Sequence, residues 1–511
     1  MIGRLKDNLR TASLAATAFT VGAAVMAIEI TASRVLAPHF GASLFVWTAL
    51  IVTVLLSMSL GYWFGGRMTS RFPDMQALGL LLCGAAALLM AGMWATGGIS
   101  VSVPGLIADF GGAVAVLFIG SFLASFLVFS LPVFLLAMAG PFVLARWTDG
   151  GKDVGAVSGR YFTISTIGSV IGTVTPTLVL VPEFGVRATM VGISVLLAAL
   201  GLLFMKGVLR PVAACIVALA ISLVVVQGHQ KPEGVVYEHE SPYQFIRVKE
   251  QDGVRYLTFN EASGVQSVWR ADGGRTRFYY DHFAAVPFLG GEEPHTKAAV
   301  LGLAGGTLVR QYVSALPAGT ATDIVGVEID GAVVDAARRY FALDEIPVSV
   351  VKRDGREFLA AGGDEYDTIV IDAYSTQLYI PSHMVTREFF ERVRSRLSDG
   401  GFAAMNINAP RADSRLLTTL ANTVASVFPN VYIVKVGASW NWLVVAGDHE
   451  PDFVAAADKL PEDYADVAAA YRAARRVAYD TDGEIFTDDW APIEHMTDGM
   501  MSEAMLDIVG S

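Results

Sequence analysis

Ala298-Ala299-Val300-Leu301-Gly302-Leu303-Ala304-Gly305-Gly306 is the stretch on which the reading of the fold turns. Four apolar residues without a polar break read as a strand buried on both faces. The glycines behind it let the backbone approach a ligand closely, and the amides of a following helix would point at that ligand. Alone, such a turn is weak evidence. Its weight comes from three signals that follow in order: a strand ending in Val327-Glu328-Ile329-Asp330, an element ending in Arg353-Asp354-Gly355-Arg356, and a strand Thr368-Ile369-Val370-Ile371 that delivers Asp372-Ala373-Tyr374-Ser375.

Helical segments near 308–315, 331–341, 386–397 and 416–427 alternate with these strands. The pattern predicts a doubly wound α/β domain with a parallel sheet and ligands at the carboxyl ends of its strands. The turn residues Gly302, Ala304, Gly305 and Gly306 would then cradle a nucleotide-like group. Glu328 would accept the ribose hydroxyls, and Asp354 would bond an adenine amino group. Upstream, 243–248 and 255–259 alternate in polarity around the turn signal Gln251-Asp252-Gly253, which predicts a small β-sheet unit. Residues 277–288 read as a helix carrying Tyr279, Tyr280, Asp281 and His282.

The first 228 residues are of another kind. Apolar stretches of spanning length occur near 12–33, 46–66, 76–97, 111–146, 160–182, 188–206 and 210–228. The fourth holds Pro132 and Pro141 and reads as one kinked helix or as a tight hairpin, so seven or eight membrane helices are expected. With seven spans and the N-terminus inside, ten Lys/Arg fall on inner ends and two, Arg34 and Arg187, on outer ends; splitting the fourth stretch gives six against six. The charge rule thus favours seven spans and an extracytoplasmic C-terminal half. A nucleotide-like donor argues for the cytoplasm, and the side stays open at this point. The basic start runs into an apolar stretch with no small-residue cleavage site, which reads as a signal-anchor in a bacterial inner membrane. Glu29 inside the first span is a functional hypothesis by its cost alone, with a structural pair to Arg34 as the plainer reading. Gly168 and Gly172 have the spacing of close helix packing.

The domain boundaries are thus 1–228 (membrane), 229–290 (small sheet and linking helix) and 291–511 (α/β domain). Residues 1–228 hold 12 Lys/Arg against 7 Asp/Glu, so of the whole-chain net charge of −12 the rest carries −17. That surface argues against nucleic acid as a partner. The two cysteines, Cys83 and Cys215, lie in apolar spans and offer neither a disulfide framework nor a thiolate metal site. No metal is expected. The acidic tail Asp480, Asp482, Glu484, Asp488, Asp489, Glu494 and His495 is expected to close over the sheet by hydrogen bonding, and 440–445 to form a late strand.

At these residues the chain resembles the spermidine synthase (polyamine aminopropyltransferase) family, within the class I methyltransferase-like fold. The resemblance runs over 235–450 and rests on Ser241-Pro242-Tyr243-Gln244, Gln266, Tyr279, the glycine turn, Glu328, Asp354 and Asp372. Glu29 to Trp47, 61–67, 160–172, Ile380-Pro381-Ser382-His383 and Thr487-Asp488-Asp489-Trp490-Ala491-Pro492 have the look of a bacterial branch in which such a domain follows a multispan membrane domain. The resemblance implies decarboxylated S-adenosylmethionine, or S-adenosylmethionine itself, as donor, and an amine or membrane-bound acceptor. It implies a donor pocket of 302–306, Glu328 and Asp354, with Asp372, Tyr279 and Gln244 around the acceptor, and it leaves a homodimer open.

Three positions depart from the family pattern. Gly305 stands where an acidic residue would hold the donor's amino group, Ser375 where the second Asp of the catalytic loop would help deprotonate the amine, and Tyr280 where Gln or His follows the helix tyrosine. The base would then be Asp372, Asp281, His282 or His383. Four readings stay open: aminopropyl transfer in a membrane-integrated enzyme; methyl or aminocarboxypropyl transfer from S-adenosylmethionine to a lipid; a cofactor-free extracytoplasmic domain acting on or binding glycan or lipid; and a transporter with a regulatory domain.

Overall fold

A computed structural model describes residues 2–40, 44–71, 74–107, 113–148, 153–228, 233–260, 264–291, 293–374 and 379–500. The chain divides into two compact units, one of residues 1–233 with 240–242, the other of 234–239 with 243–511.

The first unit is a helix bundle: α1 (Ile2–Phe40), α2 (Leu44–Arg71), α3 (Met75–Ile107), α4 (Ala113–Thr148), α5 (Val154–Thr175), α6 (Val181–Phe204) and α7 (Leu209–Gly228). The proline-bearing fourth stretch is one helix, α4, through both Pro132 and Pro141. Among the described residues six continuous helical runs are long and apolar enough to cross a membrane. One of them, Val154–Phe204, has 51 residues. Straight, it would be about 77 Å long at the α-helical rise, far beyond the ~30 Å hydrocarbon core. It contains a π-helical turn at Pro176–Leu180, and Gly185 (φ 80°) breaks it. The seven or eight expected helices are therefore seven helices in six apolar runs.

Close glycine contacts fix helix directions. A Cβ on Gly168 would lie 2.2 Å from the Phe19 carbonyl oxygen and one on Gly172 2.1 Å from that of Ala23, so α1 and α5 run parallel. Gly61 abuts Phe134 and Ala137 and Gly65 abuts Met138, which makes α2 and α4 parallel too. Gly92 against Val128 and Gly84 against Leu135 make α3 and α4 antiparallel, and Gly79 against Met205 with Cys83 against Ala198 does the same for α3 and α6. Small residues let these backbones approach within van der Waals distance, which is how helices associate where no hydrophobic force separates lipid from protein.

The second unit begins with a four-stranded sheet, β1 (Val235–Glu240), β2 (Phe245–Gln251), β3 (Val254–Phe259) and β4 (Val265–Arg270), in that order. Asp252 (φ 52°) and Gly253 (φ 74°) turn β2 into β3 with the two left-handed residues that a tight hairpin of this twist requires. The segment read as one helix over 277–288 is instead a pair of 3-10 helices, Tyr279–Ala284 and Val286–Phe288. Pro287 brings no N–H to the first turn behind it, which prevents a continuous α-helix.

The main sheet has eight strands: β5 (Lys297–Leu301), β6 (Asp323–Glu328), β7 (Ser349–Lys352), β8 (Tyr366–Ile371), β9 (Leu397–Asn408), β10 (Asn430–Lys435), β11 (Asn441–Gly447) and β12 (Arg475–Arg476), in the order β12-β10-β11-β9-β8-β5-β6-β7. Strands β7, β6, β5, β8 and β9 are parallel, and β11 runs antiparallel between β9 and β10. Helices α8 (Thr307–Ser314), α9 (Gly331–Tyr340), α10 (Gly355–Ala360), α11 (Arg387–Arg394) and α12 (Arg415–Ala425) connect them. Alternate residues of β5 enter different cores: Ala299 and Leu301 pack with Phe389, Phe390 and Leu420, whereas Ala298 and Val300 pack with Phe283, Leu308 and Tyr312. Both faces are covered, which is why the strand shows no polar alternation. The strand order reverses between β5 and β8, the point where a doubly wound sheet opens a crevice at its carboxyl edge.

Candidate active site

Gly302 leaves β5 at φ 95°, and a Cβ there would lie 2.3 Å from the Asp372 carbonyl oxygen. Only glycine lets the turn after β5 touch the backbone of the residue after β8. Gly302 and Ala304 (φ 45°) are partly exposed, while Gly305 and Gly306 are buried. Gly305 donates its N–H to Ser267 Oγ at 2.8 Å, and a Cβ on it would meet Ser267 at 2.7 Å and Phe341 at 3.0 Å. This corrects the expectation at that position: no acidic side chain fits at 305. Gly305 and Gly306 serve packing, and the turn positions open to a ligand are 302 and 304.

Glu328 ends β6 buried, with a fractional exposure of 7%. Its Oε2 accepts the Ala304 N–H at 2.9 Å and its Oε1 the Asp330 N–H at 3.1 Å. Burial pushes its carboxyl up, and these backbone bonds pull it back. Each carboxylate oxygen has further acceptor capacity, so two hydroxyls of a ribose can be received here. Asp354 caps α10, accepting the N–H groups of Arg356 and Glu357 on Oδ1. Its Oδ2 pairs with His383 Nε2 at 2.9 Å. The His383 side chain beside it is the main cause that holds the Asp354 carboxyl below the usual range. Arg356 fastens the same loop by donating to the His383 carbonyl and to Asp488. His383, expected as a base, is thus committed through Nε2 to the Asp354 end of the cleft.

Asp372 follows β8. Tyr279 donates its hydroxyl to Oδ2 at 2.7 Å, and Asn406 donates Nδ2 to Oδ1 at 3.0 Å. Burial pushes the Asp372 carboxyl up to about 6, against the lowering effect of those two bonds. Tyr279 is pushed well above its ordinary value, by burial first and by the Asp372 charge second, so it stays a donor. Its ring lies against Tyr280 with centroids 4.0 Å apart, and Tyr280 donates to the Val265 carbonyl. Asn406 in turn is held by Asn441, whose Nδ2 donates to the Oδ1 atoms of Asn406 and Asn408, both at 3.0 Å. Tyr374 donates to the Asn406 carbonyl at 3.0 Å. A carboxylate with this pKa, oriented by neutral donors, can hold or release one proton near neutral pH.

Other expected residues fare differently. Asp281 is not a free base: its carboxylate accepts from Arg275 Nε, the Thr276 N–H and hydroxyl and the Arg277 N–H, and Arg275 also pairs with Asp466. It fastens the loop that leads into Tyr279. His282 is buried, neither ring nitrogen has a partner among the described residues, and burial pushes it down to about 4. It stays neutral in the core. Gln244 lies buried just before β2 in the small sheet. Ser375 lies outside the described residues. The acidic tail pairs with cations and amides of the α/β domain: Asp488 with Arg356, Glu484 with Arg415, and the Asp480 carbonyl with Asn422. Trp442 of β11 is in the core and donates to the Ala409 carbonyl. Asn406 and Asn441 were missed by reading the sequence. The available signal is Met405-Asn406-Ile407-Asn408, two amides on one face of an otherwise apolar strand end.

Residues 279–445 match the family model described as spermine/spermidine synthase domain. The chain is 38% identical over 197 residues to a probable polyamine aminopropyl transferase of Bifidobacterium longum, covering 38% of this chain and 43% of that one. It is 30% identical over 210 residues to a polyamine aminopropyltransferase of Vibrio vulnificus, covering 40% of this chain and 68% of that one. The chain thus spans less than half the length of the first of these relatives. Among solved structures, a probable spermidine synthase from Corynebacterium glutamicum aligns at TM-score 0.41 and 17% identity, over 51% of this chain and 97% of that one.

Proposed function

The chain belongs to the polyamine aminopropyltransferase family, and on that premise we propose that its C-terminal half moves an aminopropyl group from decarboxylated S-adenosylmethionine to a primary amine, free or membrane-associated. The observation that carries this reading is Asp372, a buried carboxylate at the switch point of the sheet, oriented by Tyr279 and Asn406 and with its carboxyl pushed up to about 6. Glu328 receives the ribose hydroxyls beside Ala304, and Asp354 with His383 borders the adenine. Asp372 takes a proton from the acceptor ammonium. The freed amine nitrogen attacks the methylene next to the sulfonium, the C–S bond breaks, and sulfur leaves as a neutral thioether. Alignment of nitrogen, carbon and sulfur supplies most of the acceleration, and the protein's remaining task is to hold the amine unprotonated.

Ala304 favours a second reading for the donor. With no acidic side chain in the turn, nothing there selects against the carboxylate of S-adenosylmethionine itself, and methyl or aminocarboxypropyl transfer would follow. One assay separates the two: full-length protein in detergent with each donor and a diamine acceptor, products weighed by mass spectrometry. An aminopropylated product supports the first reading; only methylated or aminocarboxypropylated product replaces it. No product with either donor, together with no donor binding by calorimetry, sinks both.

The proposed setting is the bacterial inner membrane. The helix directions support seven crossings in alternation, so that residue 228 leaves the bundle at the end opposite residue 2. With the Lys/Arg-rich ends inside, residues 229–511 lie outside the cytoplasm, and the donor has to be supplied on that side. Alkaline phosphatase joined after residue 228 is expected to be active; an inactive fusion with an active cytoplasmic reporter would return the domain to the cytoplasm.

A further inference from the structure

Glu29 lies within the apolar run Asn8–Ala37 of α1, half-buried. Its carboxylate has no hydrogen bond or ion pair among the described residues, and Arg34 does not pair with it. A charge left alone in hydrocarbon is expensive and is kept where something binds it.

The register of α1 on α5 says what Glu29 faces. Gly22 is one heptad before it on the same helical stripe. A Cβ on Gly22 would lie 2.2 Å from the Ser165 carbonyl oxygen, and Ser169 Oγ donates to the Gly22 carbonyl at 3.2 Å. The two helices are parallel and Ser169 bonds Gly22, so one heptad onward Glu29 comes level with Pro176, one turn beyond Gly172. That is where α5 gives way to the π-helical turn Pro176–Leu180. Proline brings no N–H, so the Gly172 carbonyl loses its α-helical donor. The register then changes: the Val181 N–H reaches back to the Pro176 carbonyl. Single π turns inside longer helices accompany functional sites. Thr173 and Thr177 hydroxyls donate back to the Ser169 and Thr173 carbonyls, and they leave the Gly172 carbonyl alone. Arg34, further along α1, donates to the Pro242 carbonyl.

We infer that Glu29 and the backbone acceptors at Gly172–Pro176 form a binding site for an ammonium group inside the membrane half. A carboxylate beside a carbonyl that has lost its α-helical donor offers acceptors only, which suits a primary ammonium with its three donors, and backbone carbonyls freed at an interrupted membrane helix take cations in the same manner. The choice of a polyamine as the ammonium rests on the transferase reading above; the site itself does not.

The test is equilibrium binding of radiolabelled putrescine to the full-length chain in lipid nanodiscs. The chain carries Asp372→Asn, so that a failure of the transferase site is read separately. Saturable binding is expected to persist in that background and to fall at least tenfold with Glu29→Gln. Pro176→Ala, which restores the helical donor to Gly172 and leaves the carboxylate in place, should weaken binding several-fold. Unchanged affinity in Pro176→Ala and in a Glu29→Gln chain that elutes and melts like its parent overturns the site, as does binding that vanishes with Asp372→Asn alone. Should Glu29→Gln not fold, Pro176→Ala decides.

Discussion

Glu328 and Asp372 end two parallel strands that flank β5, and both are buried carboxylates, yet they are held in different ways. Glu328 is gripped by backbone amides of its own turn and of the glycine turn. Asp372 is gripped by side chains, Tyr279 from a 3-10 helix and Asn406 from the next strand over. Backbone amides are fixed by the fold and favour the charged form, which suits a residue that only binds. Side-chain donors can be varied one at a time; they too favour the charged form, and burial is what leaves the Asp372 carboxyl able to take up a proton near neutrality, which suits a residue that does chemistry. On the proposed reading, the difference separates a binding end from a reacting end within one crevice.

The sharpest way to break that contrast is Asp372→Asn. Losing a general base costs on the order of 10²–10⁴ in rate, so kcat should fall by about that factor while donor affinity, read by calorimetry, stays put. A loss of donor affinity instead would make Asp372 a binding residue like Glu328. Glu328→Gln should do the converse. Two charge-assisted hydrogen bonds to a ribose are worth ~1.5–3 kcal/mol each, so donor KM should rise roughly 10- to 100-fold or more with kcat far less affected.

Tyr279→Phe and Asn406→Ala sharpen the comparison through pH. The base works deprotonated, so the rate should climb with pH through about 6, the value to which burial pushes Asp372. Both hydrogen bonds lower that value, so either substitution should carry the acidic limb to higher pH. The corresponding loss of the bonds to Glu328 would not move it. A purely structural role for Asn406 would lower the rate at every pH without moving the limb. The smallest effect is expected from His383→Ala. It removes the main cause that holds the Asp354 carboxyl below the usual range, and at a partly exposed pair this is worth about 1 kcal/mol. Donor KM should change a few-fold, and the pH profile should not change; a lost acidic limb would restore His383 as the base.

Much of this was legible in the chain. The apolar half, the hairpin unit, the order of strands and helices and the carboxylates at three strand ends all follow from periodicity and turn chemistry, because each is encoded within a few consecutive residues. Helix over 277–288 was misread because Pro287 shortens it into two turns, and Asp281 and His282 looked reactive because no local pattern shows that Arg275 and the core absorb them.

The sequence by itself therefore determined which residues stand at the carboxyl edge of the sheet and that a bundle of long apolar helices precedes it. Tertiary structure alone decided which of them can react. Asp372 owes its orientation to residues 93 positions before it and 34 after it. The lack of room at Gly305 is set by Ser267 and Phe341, and that at Gly22 by Ser165 on a helix far along the chain. Burial and hydrogen-bond partners are properties of packing between distant segments, and periodicity records only which face of its own element a residue occupies.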